Sequence, residues 1–184
     1  MRWKKHSHLE GAHAFLSPSS YHWINYDEEK LKFRWKTIRA AMRGVEDHRY
    51  AAIAIEENEV QDDETTTLGM YINQCIQYRM HPEVVLYFSP NAYGTVDAIA
   101  YRHRRLRISD LKTGVSRTSE HQLEVYAALF CLEYEIDPFS LRGIELRLYK
   151  DGRVFLYDAD PYFIRGIMDK IVKFDIILNR LREG

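Results

Sequence analysis

The chain has 184 residues, of which 46% are hydrophobic and 29% charged, and its formal net charge is −1. This length is enough for one domain with its own core, and the near-zero charge argues against a protein that coats nucleic acid with its whole surface. No apolar run approaches the roughly 20 residues of a membrane span, and the first residues lack the apolar stretch of a signal peptide, so a cytoplasmic protein is expected.

The first 82 residues are predicted to be mainly helical. A helix with an apolar stripe begins after Asp27, which is a suitable N-cap residue, and Gly44 interrupts it. A second helix is predicted over residues 45–55, with His48 near its start. A third helix continues until Pro82, because proline cannot extend a helix.

The following segment, residues 83–158, is predicted to form a sheet with one inserted helix. The first three strands form a meander and lie at residues 84–88, 95–101 and 105–112. The inserted helix is opened by Ser119-x-x-Gln122, which has the form of a capping box. Two further strands are joined at Asp151-Gly152, a strong hairpin signal.

The C-terminal helix is predicted over residues 159–184 and is opened by the Asp160-Pro161 pair. Its apolar residues recur as a short heptad, which we attribute to packing on the sheet rather than to a dimeric coiled coil. The order of elements predicts an α/β (α+β) fold, in which a single domain over residues 1–184 has a central mixed sheet flanked by helices.

Two carboxylates and a lysine are predicted to meet at one end of this sheet. Asp110 and Lys112 are two residues apart on one strand, so their side chains leave the same face, and a hairpin brings Asp97 to the same end. Converging carboxylates beside an amine suit a hard divalent cation and a fixed positive charge. The alternative is that both aspartates end their strands and that Lys112 neutralises one of them in a surface ion pair.

Four short motifs connect this end of the sheet to the helices on either side. In chain order they are Gly44-x-x-x-His48, Gly94-x-x-Asp97, Asp110-Leu-Lys112-Thr-Gly114 and Gln122-x-x-x-Tyr126. Together they resemble the motifs of RecB-like members of the PD-(D/E)XK nuclease superfamily, which implies a restriction-endonuclease-like core. The segment from His13 to Trp23 is similar to the opening of a phage-encoded group of these proteins.

The resemblance implies a bound Mg²⁺ or Mn²⁺ ion and a catalytic lysine. The metal ligands would be His48, Asp97, Asp110 and the backbone carbonyl of Leu111. Lys112 would polarise the attacking water or stabilise the charge that develops on the scissile phosphate. For His48 the alternative is a purely structural histidine.

Three further positions match the family. Glu83 corresponds to an acidic residue that in many relatives helps to hold the metal or its water, although it could instead cap the strand edge after Pro82. Gln122 and Tyr126 correspond to residues that steady the lysine or contact DNA. The alternatives are that Gln122 completes the capping box and that Tyr126 belongs to the core.

Several arginines between the second and third strands form a candidate DNA-backbone surface or, equally, a solvated turn. They are Arg102, Arg104, Arg105 and Arg107. The chain also departs from the family in its cysteines. It has only Cys75 and Cys131, so the iron–sulfur cluster of some relatives is not expected, and the cysteine that usually follows the tryptophan of the phage group's opening is absent.

The function that this resemblance implies is a Mg²⁺- or Mn²⁺-dependent DNA nuclease. An exonuclease that serves DNA recombination or processing is expected first, because free-standing phage relatives often have that task. The alternatives are a structure-specific or nicking endonuclease, and a non-catalytic nucleic-acid-binding or regulatory protein on a nuclease fold. Expected partners are DNA, further copies of the chain and a recombination or single-strand-binding protein. For a phage-encoded protein the location would be the host cytoplasm.

Overall fold

The computed structural model describes residues 14–113 and 120–183, with the backbone alone at residues 19, 20 and 183. The chain separates into two compact units, residues 1–42 and residues 43–184. Among the described residues, no helix has both the length and the apolar character needed to cross a membrane. The assignment of all 184 residues to one nuclease-like domain stays a prediction.

The N-terminal unit contains a 3₁₀ helix, Pro18–Asn25, and the first part of helix α1, which spans Glu28–Glu56. The predicted N-cap is confirmed, because Asp27 Oδ1 accepts a hydrogen bond from the backbone N–H of Lys30 at 2.7 Å. Within this unit the rings of Phe15 and Trp35 pack edge to face, with 5.4 Å between their centroids.

The second unit is built on one five-stranded sheet with the order β1-β2-β3-β4-β5. The strands are β1 (His81–Ser89), β2 (Ala92–Arg102), β3 (Arg105–Lys112), β4 (Gly143–Lys150) and β5 (Arg153–Asp158). The first three are antiparallel neighbours, β3 and β4 are parallel, and β5 is antiparallel to β4. This mixed sheet flanked by helices confirms the predicted fold class.

Two of the strand connections are two-residue turns with positive backbone φ. His103 and Arg104 have φ of 50° and 63°, and Asp151 and Gly152 have φ of 51° and 68°. Left-handed backbone at both central residues gives a turn whose twist matches that of the flanking strands. The parallel connection from β3 to β4 instead carries helix α3, His121–Glu133.

The sheet has a core on each face. Helix α3 packs on one face, where Leu106 and Ile108 of β3 are buried together with Ile164 and Met168 of helix α4, Pro161–Glu183. The packing predicted for α4 therefore holds for its first half. Its second half exposes large apolar side chains, namely Phe174, Ile176, Ile177, Leu178 and Leu181.

The opposite face of the sheet is covered by the end of α1 and by helix α2, Thr67–Gln77. Ala54 of α1 and Ile72 of α2 are fully buried there, against Leu111 of β3 and Tyr149 of β4. Successive residues of a strand point to opposite faces, so Asp110 and Leu111 belong to different faces. This alternation turns Asp110 and Lys112 towards the α3 side, and the two share one face, as predicted.

The predicted interruption of the first helix at Gly44 was wrong, because α1 is continuous through it. A helical glycine costs about 1 kcal/mol relative to alanine, which is too little to break a helix that has tertiary contacts on both sides of the position. The glycine has a steric role instead. A Cβ atom at Gly44 would lie 3.1 Å from Thr113 Oγ1, so the missing side chain lets α1 approach the end of β3.

The predicted continuation of the next helix up to Pro82 was also wrong. Helix α2 ends at Gln77, and Pro82 lies in β1. The helix stops because Arg79 adopts φ of 52°, which allows the N–H of Met80 to reach the carbonyl of Cys75 at 2.9 Å. This pattern is the Schellman motif, in which a left-handed residue reverses the chain after the last helical turn.

Gly69 is expected to be intolerant of a side chain. It lies in the first turn of α2, where its N–H donates to the N-cap Thr66 Oγ1 at 3.0 Å. A Cβ atom at this position would lie 2.0 Å from the backbone carbonyl oxygen of Asp63. Because backbone must move to relieve this clash, Gly69→Ala is expected to lower the free energy of unfolding in urea by about 1–3 kcal/mol.

The matched control for Gly69→Ala is Gly166→Ala in α4. A Cβ atom at Gly166 would meet nothing within 4 Å. This exchange is therefore expected to raise the free energy of unfolding by about 0.5–1 kcal/mol, because alanine restricts the unfolded chain. Equal stability of the wild type and Gly69→Ala would contradict the steric argument.

Candidate metal centre

The candidate site lies where β2 and β3 separate. Their pairing ends at Ala98 and Ser109, and beyond that point the Asp97 carboxylate takes the place of the next ladder acceptor. Asp97 Oδ2 accepts a hydrogen bond from the backbone N–H of Leu111 at 2.8 Å. A residue in an extended strand directs its N–H and C=O to the same side, so the Leu111 carbonyl also faces this gap.

Glu83 approaches Asp97 from β1. The β1–β2 ladder pairs Pro82 with Ala98 and Val84 with Val96, but Glu83 and Asp97 between them do not pair. Glu83 has φ of 50°, an unfavourable conformation for a residue with a side chain in a strand. Such strain persists only where the surroundings hold it, and it accumulates at functional sites.

His48 reaches the same point from α1. It lies on the helix face that buries Ala51 and Ile55, three and seven residues later. His48 Nδ1 is 3.5 Å from Asp97 Oδ1. Gly44 lies one turn before His48, and a Cβ atom at Gly44 would make a tight contact with the side chain of Thr113.

Three of the predicted ligands form a compact group. One ligand atom each from His48, Glu83 and Asp97 lies within 4.8 Å of the other two. The group joins an imidazole nitrogen to two carboxylates from separate elements of the fold, which is a donor set that divalent cations accept. The structure thus brings together three of the side chains predicted as metal ligands, and Asp110 is not part of this group.

Asp110 stands beside this group, paired with Lys112. The Asp110 side chain is almost completely buried, with 3% of the residue exposed. Both of its carboxylate oxygens lie 2.9 Å from Lys112 Nζ, and Oδ1 accepts the hydrogen bond. Oδ2 makes no hydrogen bond among the described residues, so its contact with the Lys112 ammonium is an ion pair without hydrogen-bond geometry. This ion pair offsets part of the cost of burying the carboxylate.

Helix α3 contributes two further motif residues. Gln122 Oε1 accepts a hydrogen bond from Lys112 Nζ at 3.3 Å, so its side chain contacts the lysine. Ser119, its partner in the predicted capping box, lies outside the described residues. The Tyr126 hydroxyl donates to the backbone carbonyl of Thr95 at 2.5 Å. Its ring packs against Gly94, where a Cβ atom would lie 3.0 Å from Tyr126 Cε1.

The electrostatics of the site favour a bound cation. The hydrogen bond with Asp97 raises the pKa of His48, despite an opposing effect of burial. Burial raises the pKa of Asp110, and the charge of Asp97 adds to it, whereas Lys112 opposes the rise. Burial and Asp97 likewise raise the pKa of Glu83. The charge of Asp97 thus adds to the pKa of both neighbouring carboxylates, a repulsion that a bound cation would relieve.

The arginines proposed for DNA binding lie at the other end of β3. Arg105 and Asp110 are five residues apart on one strand, a separation of about 16 Å. Arg104 donates to the backbone carbonyl of Ser140, and Arg105 lies 3.7 Å from Glu145. Arg107 also pairs with Glu145, at 3.2 Å, so these side chains have structural partners and do not surround the carboxylates.

Comparison of the chain with protein-family models, with curated proteins and with solved structures finds no match. The relation to RecB-like nucleases is therefore a resemblance carried by the motif residues alone. The motifs also contain residues for which no role was predicted. A Cβ atom would make a tight contact with Thr113 if added at Gly44, and with Tyr126 if added at Gly94. Such contacts between elements depend on the three-dimensional fold and have no signal in the local sequence.

Metal binding is expected to strengthen as pH rises. Metal ligands must be deprotonated, and the raised pKa values of His48, Glu83 and Asp110 mean that protons compete for these groups at higher pH than usual. Titrating the protein with Mn²⁺ between pH 5.5 and 8 should give a dissociation constant that falls with pH. His48→Ala should weaken binding and flatten the profile.

The control for this titration is His103→Asn in the β2–β3 turn, because asparagine tolerates the left-handed backbone of His103. This variant is expected to keep the wild-type profile. A dissociation constant that does not change between pH 5.5 and 8 would show that Mn²⁺ binds elsewhere.

Proposed function

We propose that this protein is a divalent-metal-dependent deoxyribonuclease that hydrolyses phosphodiester bonds, acting as an exonuclease in DNA recombination or processing. The observation that carries the proposal is the convergence of His48, Glu83 and Asp97 beside the buried pair of Asp110 and Lys112. The order of the motifs along the chain gives independent support, since each of them contributes a side chain to this one region.

The donor set fits Mg²⁺ or Mn²⁺. Carboxylates are the ligands that these hard cations prefer, and Asp97 and Asp110, with His48 and Glu83, would hold the ion. Asp110 Oδ2 makes no hydrogen bond among the described residues, and we assign it to the ion in addition to its ion pair with Lys112. When bound, a divalent cation would act as a Lewis acid and polarise a phosphate oxygen.

Lys112 supplies a fixed positive charge beside the substrate. Its ammonium group has three N–H donors, and it hydrogen-bonds Asp110 Oδ1 and Gln122 Oε1. In this proposal the ammonium also donates to a phosphate oxygen of the bound DNA. Because Asp110 and Gln122 hold the ammonium before substrate arrives, it can stabilise the negative charge that develops during hydrolysis without reorganisation.

In this proposal Glu83 would hold the ion through one carboxylate oxygen and would accept a proton on the other. The residue is open to solvent, yet partial burial of its carboxyl and the charge of Asp97 raise its pKa. The carboxylate oxygen that does not bind the ion can take the proton that water loses as its oxygen attacks phosphorus. The leaving oxygen takes a proton from solvent.

The experiment that tests this function compares DNA substrates and metals. Purified protein is incubated with end-labelled linear duplex, closed circular duplex and single-stranded DNA, in Mg²⁺, in Mn²⁺ or in EDTA. The expected result, which identifies an exonuclease, is metal-dependent loss of the linear duplex while the closed circular duplex remains intact.

Cutting of the closed circle would identify a structure-specific or nicking endonuclease instead. If no substrate is cleaved in either metal, the proposal of a nuclease fails for this chain alone, and a non-catalytic nucleic-acid-binding protein becomes the better explanation. Adding a recombination or single-strand-binding protein, and measuring the mass of the protein in solution, tests the proposed partners and homo-oligomer.

A further inference from the structure

A groove of about 710 Å³ lies between the end of α3 and the beginning of β1. Its volume is within the range of ordinary ligand sites. The groove combines aromatic rings with basic side chains, and the residues that matter here are Arg79, His81, Tyr101, Arg102, Phe130 and Tyr134. None of the nuclease motifs includes these residues, although Arg102 is one of the arginines predicted to contact the DNA backbone.

Three aromatic rings line the groove as one contiguous cluster. Phe130 is buried, with 6% exposed, and its ring centroid lies 5.3 Å from that of Tyr101 and 5.0 Å from that of Tyr134. The two tyrosines remain open to solvent, with 42% and 54% of their surface exposed. A buried phenylalanine thus holds two exposed rings in place, and each can offer a face for stacking.

The charge of the groove matches a polyanion. Arg79 and Arg102 line it together with His81, and no acidic side chain lines it among the described residues. Arg79 occupies the left-handed position after α2, where glycine is favoured, with φ of 52°. The chain therefore accepts backbone strain at a position that sets an arginine beside the aromatic rings.

Strands β1 and β2 carry residues of both the groove and the candidate metal centre. His81 precedes Glu83 by two residues on β1, and Tyr101 follows Asp97 by four residues on β2. At about 3.3 Å per residue, Tyr101 lies about 13 Å along its strand from Asp97. At about 3.4 Å per nucleotide this distance corresponds to about four nucleotides, and to fewer in a stretched strand.

We propose that this groove binds single-stranded nucleic acid, with bases stacked on Tyr101 and Tyr134 and with phosphates next to Arg79 and Arg102. Aromatic rings bind unpaired bases of any sequence, whereas the bases of a duplex are stacked on each other and present no free face. The inference rests on the proposed nuclease function only in that the bound strand would lead to the cleavage site.

The test measures binding in EDTA, so that no cleavage is needed. A fluorescent oligothymidylate of about 12 nucleotides, within the site size of known single-strand binders, is titrated with the protein and followed by anisotropy. Tyr101→Ala and Tyr134→Ala are each expected to weaken binding about tenfold or more, because each removes one stacked base. Tyr134→Phe keeps the ring and is expected to bind as the wild type does.

One control and one further variant separate the groove from general effects. Tyr162→Ala removes an exposed tyrosine of α4, remote in sequence from the groove, and is expected to leave binding unchanged. Arg102→Gln is expected to weaken binding. It should also reduce the slope of the logarithm of the binding constant against the logarithm of the salt concentration by about one, which indicates one lost phosphate contact. Circular dichroism establishes that each variant is folded.

The outcomes distinguish this inference from the nuclease proposal. If both tyrosine-to-alanine variants bind the oligonucleotide as the wild type does, the groove proposal is overturned, even where the protein cleaves DNA. If the variants lose binding although the wild type cleaves no substrate in any metal, the groove proposal stands and the nuclease proposal fails.

Discussion

Replacement of Lys112 by alanine is expected to lower the rate of metal-dependent DNA cleavage by about 100- to 1,000-fold, the usual effect of removing one preorganised group that stabilises charge. The expectation follows from the position of Nζ, 2.9 Å from both Asp110 oxygens and 3.3 Å from Gln122 Oε1. The measurement is single-turnover cleavage of linear duplex at saturating Mg²⁺ or Mn²⁺.

The same variant is expected to keep its metal site. Lys112 is a cation and donates no electron pair, so metal-induced stabilisation against heat should survive in Lys112→Ala while the cleavage rate falls. Asp110→Asn should behave differently, because it removes a negative ligand charge and should reduce both the cleavage rate and the metal-induced stabilisation.

Two further lysine variants sharpen this result. Lys112→Arg keeps the charge but replaces a compact ammonium by a planar guanidinium, so an intermediate rate is expected. Lys170→Ala removes an exposed lysine of α4 and should leave the rate unchanged. Wild-type cleavage by Lys112→Ala would mean that Lys112 only neutralises Asp110 in an ion pair, which is the alternative that the sequence leaves open.

The sequence predicts those features that depend on neighbours in the chain. The alternation along β3, the Asp151-Gly152 turn and the N-cap Asp27 are local, and the structure has all three. The prediction at Gly44 failed because the cost of one glycine, about 1 kcal/mol, is too small to end a helix, and α1 continues through it.

The candidate site is only partly predictable. Alternation places Asp110 and Lys112 together, but the contact of His48 with Asp97 joins residues 49 positions apart, and only the family resemblance suggested it. The hydrogen bond from the Leu111 N–H to Asp97 depends on the separation of β2 and β3, which no local pattern specifies. The aromatic groove was missed because Tyr101 and Tyr134 share no motif.

A second large effect is expected at Arg147, which lies on β4 with only 7% of its surface exposed. Its guanidinium donates to Gln74 Oε1 at 2.7 Å and to the Tyr78 hydroxyl at 3.1 Å, and it also bonds Glu145. It lies over the Tyr78 ring, 4.3 Å from the centroid. These contacts join α2 to the sheet through one buried cation.

Acid is expected to weaken this network. Burial raises the pKa of Glu145, but hydrogen bonds and charge from Arg147 and Arg107 outweigh that effect and hold the pKa below its ordinary value of 4.5. A group whose pKa is lower in the folded state stabilises the protein above its unfolded pKa. This contribution is therefore present above about pH 4.5 and is lost as the pH falls through the lower folded value.

Arg147→Ala is expected to lower the free energy of unfolding by about 3–5 kcal/mol, because it leaves buried polar partners without their cation. Urea denaturation at pH 7 gives the measurement, and Arg153→Ala on the exposed side of β5 is the control, with an expected change within about 0.5 kcal/mol. Glu145 would keep Arg107, but Gln74 and the buried Tyr149 hydroxyl would lose a donor that they now share. An Arg147→Ala protein as stable as Arg153→Ala would show that water replaces the guanidinium, and that α2 is held to the sheet by its apolar contacts alone.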